Sequence, residues 1–140
     1  MSTIRTFHLD DSKAVIALWQ ACELTRPWNN PELDIQRKLS ISDDLFLVAQ
    51  DKDEIVGSIM GGYEGHRGWI NYLAVSPSHQ GKGLGRELMN AVEQRLLTLG
   101  CPKINLQIRT GNTDVIAFYE AIGYSEDACV SFGKRLIPDA

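Results

Sequence analysis

The apolar positions change their period several times along the chain, and each change marks an element. Residues 4–7 read as a short strand. Asp10, Asp11 and Ser12 offer capping oxygens for a helix whose apolar side is Ala14, Ile16, Ala17, Leu18 and Ala21. The run Thr25-Arg26-Pro27-Trp28-Asn29-Asn30-Pro31 breaks that pattern and predicts a loop, with a second helix over residues 32–39. Residues 45–49 are continuously apolar, as in a strand covered on both faces. Beyond the polar turn 51–54, residues 55–60 return as its hairpin partner. Gly61, Gly62, Gly65 and Gly68 predict a flexible connection to a strand over residues 69–75.

The strongest helical signal follows. Leu84, Leu88, Ala91, Val92, Leu96 and Leu99 recur every three or four residues, and Gly100 and Pro102 end the pattern. Residues 104–108 alternate and predict a strand. Asn112 opens a helix with Val115, Phe118, Tyr119 and Ile122 on one face, and Gly123 closes it. Residues 130–136 predict a last strand. The order βααβββαβαβ implies an α/β domain with a mixed sheet, a single domain over residues 1–140.

Composition narrows the partners. With 14 basic and 18 acidic residues the net charge is −4. A protein gripping nucleic acid through phosphates needs a basic surplus, so no nucleic-acid partner is expected. No apolar run approaches the roughly 18 residues of a membrane span, and the N-terminus carries no signal-peptide pattern. Three scattered cysteines, Cys22, Cys101 and Cys129, suit reduced thiols buried as small hydrophobes in a cytoplasmic protein. His8, His66 and His79 show no metal-ligand spacing, so no metal is expected.

The chemistry concentrates in Gln80-Gly81-Lys82-Gly83-Leu84-Gly85, between a strand and a helix. Backbone amides of such a loop converge on an anion, and the helix start adds unpaired N–H groups and a positive dipole end. Lys82 and Arg86 place full charges beside it. No Gly-Lys-Ser/Thr follows, which excludes a Walker loop, and the glycine spacing departs from the dinucleotide fingerprint. The loop reads as a cradle for another kind of phosphate.

These residues resemble the (Arg/Gln)-x-x-Gly-x-(Gly/Ala) signature of GCN5-related N-acetyltransferases, placed after Leu73-Ala74-Val75 as in that family. Asn112, then Tyr119, then Gly123-Tyr124 resemble its second motif. The likeness runs from Ile4 to Leu136. The Arg26-Pro27-Trp28-Asn29 loop and the segment from Gly61 to Gly68 are similar to the small bacterial YpeA-type members. The resemblance implies a mixed, mostly antiparallel sheet flanked by helices, with splayed central strands. It implies acetyl-CoA as cosubstrate, its pyrophosphate on Gln80, Gly81, Lys82, Gly83, Leu84 and Gly85 with Arg86 alongside. It places the pantetheine arm against Leu73, Ala74 and Val75, and Asn112 on that arm. A homodimer is compatible with the look-alikes.

Acetyl transfer to an amine needs a neutral amine, a polarised carbonyl and a proton or hydrogen bond for the leaving thiolate. Tyr119, two turns beyond Asn112, fits the last role; the other reading makes it core beside Phe118. Many members of the family carry a Glu where this chain has Asn71, which accepts no proton. The base is then Glu64, His66 or a water held by Asn71. A site without a strong base suits an α-amine better than a lysine, whose deprotonation at neutral pH costs about 3 kcal/mol more. The acceptor pocket is expected between Arg26, Trp28 and Asn29 on one side and Tyr63 on the other. Arg26 would pair a substrate carboxylate, and Trp28 either walls the pocket or caps the core. The expected activity is N-acetylation of a primary amine, with a non-catalytic acyl-CoA binding domain as the alternative.

Overall fold

A computed structural model describes residues 2–139. Five strands form one sheet in chain order: β1 (Thr3–Thr6), β2 (Phe46–Asp51), β3 (Glu54–Tyr63), β4 (Gly68–Val75) and β5 (Ile104–Leu106). All neighbours are antiparallel except β4 and β5, which run parallel. The helices are α1 (Ser12–Ala21), α2 (Pro31–Ile41), α3 (Leu84–Thr98) and α4 (Thr113–Ala121).

β2 explains the two layers. Leu45 and the β2 residues Phe46, Leu47, Val48 and Ala49 are all buried, so the apolar run is covered on both faces as its composition predicts. Strand alternation sends Leu45, Leu47 and Ala49 into a core with Leu88, Met89, Val92 and Leu96 of α3. Phe46 and Val48 face the other way, into a core with Val15, Leu18 and Trp19 of α1 and Ile35 of α2. Gly57 and Gly61 of β3 let α3 lie close. A Cβ at these positions would stand 2.9 Å from Leu88 and 2.6 Å from Val92.

Several expectations are corrected. Gly61 and Gly62 belong to β3, which narrows the connection to residues 64–67. The buried side of α1 is Val15, Leu18 and Trp19, because Trp19 reaches Ser58 in the sheet. Asp11 does not cap α1 with its side chain: its carboxylate turns back to the Arg5 guanidinium at 2.8 and 2.9 Å and to the His8 amide, closing the short 3-10 turn Leu9–Asp11. Leu99 is exposed, and β5 ends at Leu106. Cys129 is exposed rather than buried. Residues 130–136 form no strand: among the described residues no backbone partner lies beside them, and Val130, Phe132 and Leu136 face solvent.

Candidate active site

The sheet opens where β4 and β5 part. Their pairing covers only Gly68–Ile104, Trp69–Asn105 and Ile70–Leu106. β4 continues to Val75, so residues 71–75 run on without a β5 partner. A bulge lies at the fork. Ser58 pairs with Ala74 and Met60 with Asn71, leaving one extra residue on β4. Tyr72 absorbs it with φ +53°, a left-handed conformation unusual for a bulky side chain.

Three contacts hold that conformation. The Tyr72 ring stacks on Trp19 with centroids 3.7 Å apart. Its carbonyl accepts from Ser58 Oγ at 2.9 Å, and Ser58 accepts from Trp19 Nε1 at 2.9 Å. Its hydroxyl donates to Asp34 Oδ2 of α2 at 2.6 Å. Burial, reinforced by Asp34, pushes the phenol well above its usual value. Trp19, Ser58 and Asp34 carry no motif signal, and the positive φ of Tyr72 leaves no mark on the sequence.

The glycine loop occupies the far end of β4, and its glycines do different work. Gly81 and Gly83 adopt φ +79° and +84°, with open space where a Cβ would stand. They are needed for conformation, not for room. Gly85 makes room instead: a Cβ there would stand 3.2 Å from the Phe118 ring, so it lets α3 meet α4. Gly83 is the N-cap of α3 and no side chain caps the helix. The amides of Leu84, Gly85 and Arg86 therefore start a helix without an intrahelical carbonyl. Gln80 folds back, donating from Nε2 to the Val75 carbonyl at 3.0 Å, which pins the loop to the strand. Cys22 Sγ bonds the same carbonyl at 3.2 Å. That oxygen is thus engaged, which leaves Leu73, Ala74 and the remaining groups of Val75 for a ligand. Lys82 and Arg86 are exposed and make no ion pair among the described residues.

α4 frames the other side. Asn112 is its N-cap, its Oδ1 accepting from the Val115 amide at 3.4 Å. Tyr119 is buried, edge-on to Phe118 and Tyr124. Burial alone pushes its phenol up to about 12. Its hydroxyl has no hydrogen-bond partner among the described residues and is not sealed from solvent. Tyr124 donates to Glu93 Oε2 at 2.6 Å and ties the exit of α4 to α3.

The residues expected to serve the acceptor are not gathered in one place. Glu64 lies in the exposed turn 64–67, where its Oε1 accepts from the amides of His66 and Arg67. Those bonds hold its carboxyl below the usual range and weaken it as a base. His66 is exposed in the same turn, and Asn71 is exposed on β4 at the fork. Tyr63 packs on the α3 side and its hydroxyl reaches the carbonyls of Gly65 and Gly100. Arg26 bonds the carbonyls of Glu23 and Thr25 within its own loop. Asn29 Oδ1 accepts from Arg135 at 2.6 Å. Trp28 is 50% exposed, which removes it from the core, and the Arg109 guanidinium lies 5.7 Å above its ring. That contact joins the α1–α2 connection to the chain continuing from β5. No group of metal-ligating side chains occurs among the described residues.

Comparison with known proteins identifies the family and the fold. The Acetyltransferase (GNAT) family pattern matches residues 13–124. An acetyltransferase of Pectobacterium atrosepticum is 52% identical over 136 residues, covering 97% of this chain and 96% of that protein. The structure of Ard1 from Thermoplasma volcanium superposes with a TM-score of 0.74 at 25% identity, over 91% of this chain and 84% of that one. AAC(6')-Iy, solved in complex with a CoA-containing bisubstrate analog, has a TM-score of 0.71 at 16% identity, over 98% and 99% of the two chains, and shares the fold. The chain belongs to the GNAT acetyltransferase family and is an acyltransferase.

Proposed function

We propose that the protein transfers the acetyl group of acetyl-CoA to a primary amine, a small molecule, amino acid or peptide N-terminus, by direct attack. The observation that carries this reading is the parting of β4 from β5 beyond Ile70, with the glycine loop at the end of the opened strand. Acetyl-CoA is the cosubstrate of the family. The amides from Gly81 to Arg86 would hold its pyrophosphate, with Lys82 and Arg86 neutralising charge. The opened side of β4 from Asn71 to Val75 would pair with the amides of the pantetheine arm. Asn112 would meet that arm with the part of its amide that the helix cap leaves unused.

Tyr119 is assigned to the leaving sulfur. With its phenol near 12 and a thiol near 8.5, full proton transfer is uphill by roughly 5 kcal/mol. Tyr119 therefore acts by a hydrogen bond that tightens as the thiolate forms, and stays protonated throughout. The amine must arrive neutral. An α-amine with pKa near 8 is about one-quarter neutral at pH 7.5, so a water held by Asn71, or His66, suffices to take the departing proton. Glu64 is a weaker base than an ordinary carboxylate, because its Oε1 accepts two backbone amides of the turn.

An acceptor panel with acetyl-CoA, read by thiol release and by mass of the product, tests this reading. N-acetylated α-amines are the expected products. Lysine side chains emerging as the best acceptors would remove the α-amine preference, and acetyl transfer to hydroxyls alone would remove the amine assignment.

A further inference from the structure

His79 closes the short turn Pro77–His79, which delivers the chain from β4 into the glycine loop. Its ring is held on two sides. Nε2 lies 3.1 Å from Asp51 Oδ2, and Nδ1 lies 2.9 Å from Ser78 Oγ. Ser78 Oγ is in turn 3.1 Å from Ser76 Oγ. The carboxylate can only accept, so Nε2 carries a hydrogen. In the neutral ring Nδ1 then accepts from the Ser78 hydroxyl, which selects one tautomer. The same contact holds the Asp51 carboxyl below its usual range.

Asp51 belongs to another part of the sheet. It is the last residue of β2 and pairs with Glu54 across the hairpin to β3. The backbone at the start of the turn is tied to the same hairpin, the Ser76 amide donating to the Val56 carbonyl at 2.8 Å. The His79 amide donates to the Ser76 carbonyl at 2.8 Å and closes the turn. Ring and backbone together brace the turn against β2 and β3. Beyond Gln80 that support ends. Lys82 is the one side chain among residues 81–83, and it makes no hydrogen bond among the described residues. Gly81 and Gly83 have open space where a Cβ would stand. The direction of the loop amides is therefore set where the chain enters, at His79 and Gln80, and where it leaves, in α3. A glycine-rich segment has many conformations to lose, so a fixed entrance lowers the entropy lost when a ligand binds.

We propose that His79 is a positioning residue for CoA: bridged to Asp51, it holds the entrance of the glycine loop so that the loop amides face the diphosphate. This rests on the reading that the loop holds that diphosphate. His79 acts through the backbone of residues 81–86 and not by touching the reacting atoms.

Calorimetric titration with CoA and with dephospho-CoA, which keeps the diphosphate and lacks the 3′-phosphate, tests this on wild type, His79→Ala, His79→Gln and His79→Asn. Glutamine can place an amide nitrogen where Nε2 stands and reach Asp51; asparagine reaches only as far as Nδ1. Affinity is expected to fall about fivefold to tenfold in the alanine and asparagine variants and to stay within about twofold in the glutamine variant. The loss is expected to be the same for both ligands. The ring is part-exposed, so the thermal midpoints of the ligand-free variants are expected to stay close to that of wild type. Asp51→Ala is expected to match His79→Ala, and the double variant to bind no more weakly than either. Equal affinity in wild type and all three His79 variants overturns the inference and leaves the reading of the loop intact. So does a loss confined to CoA, which would put His79 on the 3′-phosphate itself, and so does an asparagine variant that keeps what the glutamine variant loses. A wild type that binds neither ligand removes the reading of the loop, and this inference with it.

Discussion

Trp19 lies flat against Tyr72, ring planes 10° apart and centroids 3.7 Å apart, and its indole N–H is turned aside to reach Ser58. The stack and the hydrogen bond act on the same bulge from two directions. The ring fixes where the Tyr72 side chain goes, and Ser58 fixes its carbonyl. The strand leaves β5 at this fork, so the clamp links core packing to the place where the two strands part.

Ser58→Ala is expected to lower stability by about 1–3 kcal/mol, because it orphans a buried indole donor and removes one hydrogen bond from the Tyr72 carbonyl. Urea unfolding checks the magnitude. Ser58→Thr keeps the hydroxyl and is expected to lose less if the methyl is accommodated. Equal loss in both would mean that space, not the hydrogen bond, dominates at this fully buried site.

Gly83→Ala separates conformation from contact. No atom lies within 4 Å of the new methyl, but φ is +84°. Holding alanine there costs about 1–2 kcal/mol. If the loop straightens to escape that cost, its amides no longer converge. Calorimetric titration with CoA is expected to show at least roughly tenfold weaker binding. Gly85→Ala is expected to act differently, through the Phe118 contact, and to lower the thermal midpoint more than Gly83→Ala does.

The strand–loop–helix unit was legible because its period switches from two to 3.6 across a glycine cluster, and local chemistry determines both. β2 was legible because five consecutive apolar residues have one economical placement, between two layers. The bulge was not, since φ at Tyr72 is imposed by Trp19, Ser58 and Asp34, all distant in sequence. Residues 130–136 show the opposite failure. Their alternation is a true strand pattern, but a pattern does not supply a partner, and none lies beside them among the described residues. The acceptor residues were scattered for a related reason: Arg26, Glu64 and Tyr63 are polar groups consumed by their own turns, which residue type alone does not disclose.

Three tyrosines make stability fall at high pH. Tyr72, Tyr119 and Tyr124 are all held above the ordinary phenol value, by burial first and, for Tyr72 and Tyr124, by the carboxylates they bond. A raised folded-state pKa favours the protonated native form. Its contribution is complete below about pH 10, the unfolded phenol value. For Tyr119 it is lost as pH rises toward about 12. Urea midpoints measured between pH 8 and 12 are expected to be flat at first and then to decline, with tyrosinate absorbance appearing together with unfolding. Full tyrosinate ionisation at pH 10 in the folded protein would contradict the burial of these rings.

Tyr119→Phe separates the hydroxyl from the ring. The ring packs against Phe118 and Tyr124, and phenylalanine preserves those edge contacts. The lost hydroxyl has no partner to strand among the described residues, so stability is expected to change by less than about 1 kcal/mol. If that hydroxyl bonds the departing sulfur, kcat is expected to fall about a hundredfold while the KM for acetyl-CoA stays within a few-fold. The alkaline side of the pH–rate profile carries a second reading. A phenol near 12 does not titrate in the assay range. The profile of wild type and variant should therefore rise with the same apparent pKa, that of the attacking amine. A variant with full kcat would return Tyr119 to a packing role. A variant profile shifted along the pH axis would mean that the phenol governs the amine's proton rather than the thiolate's.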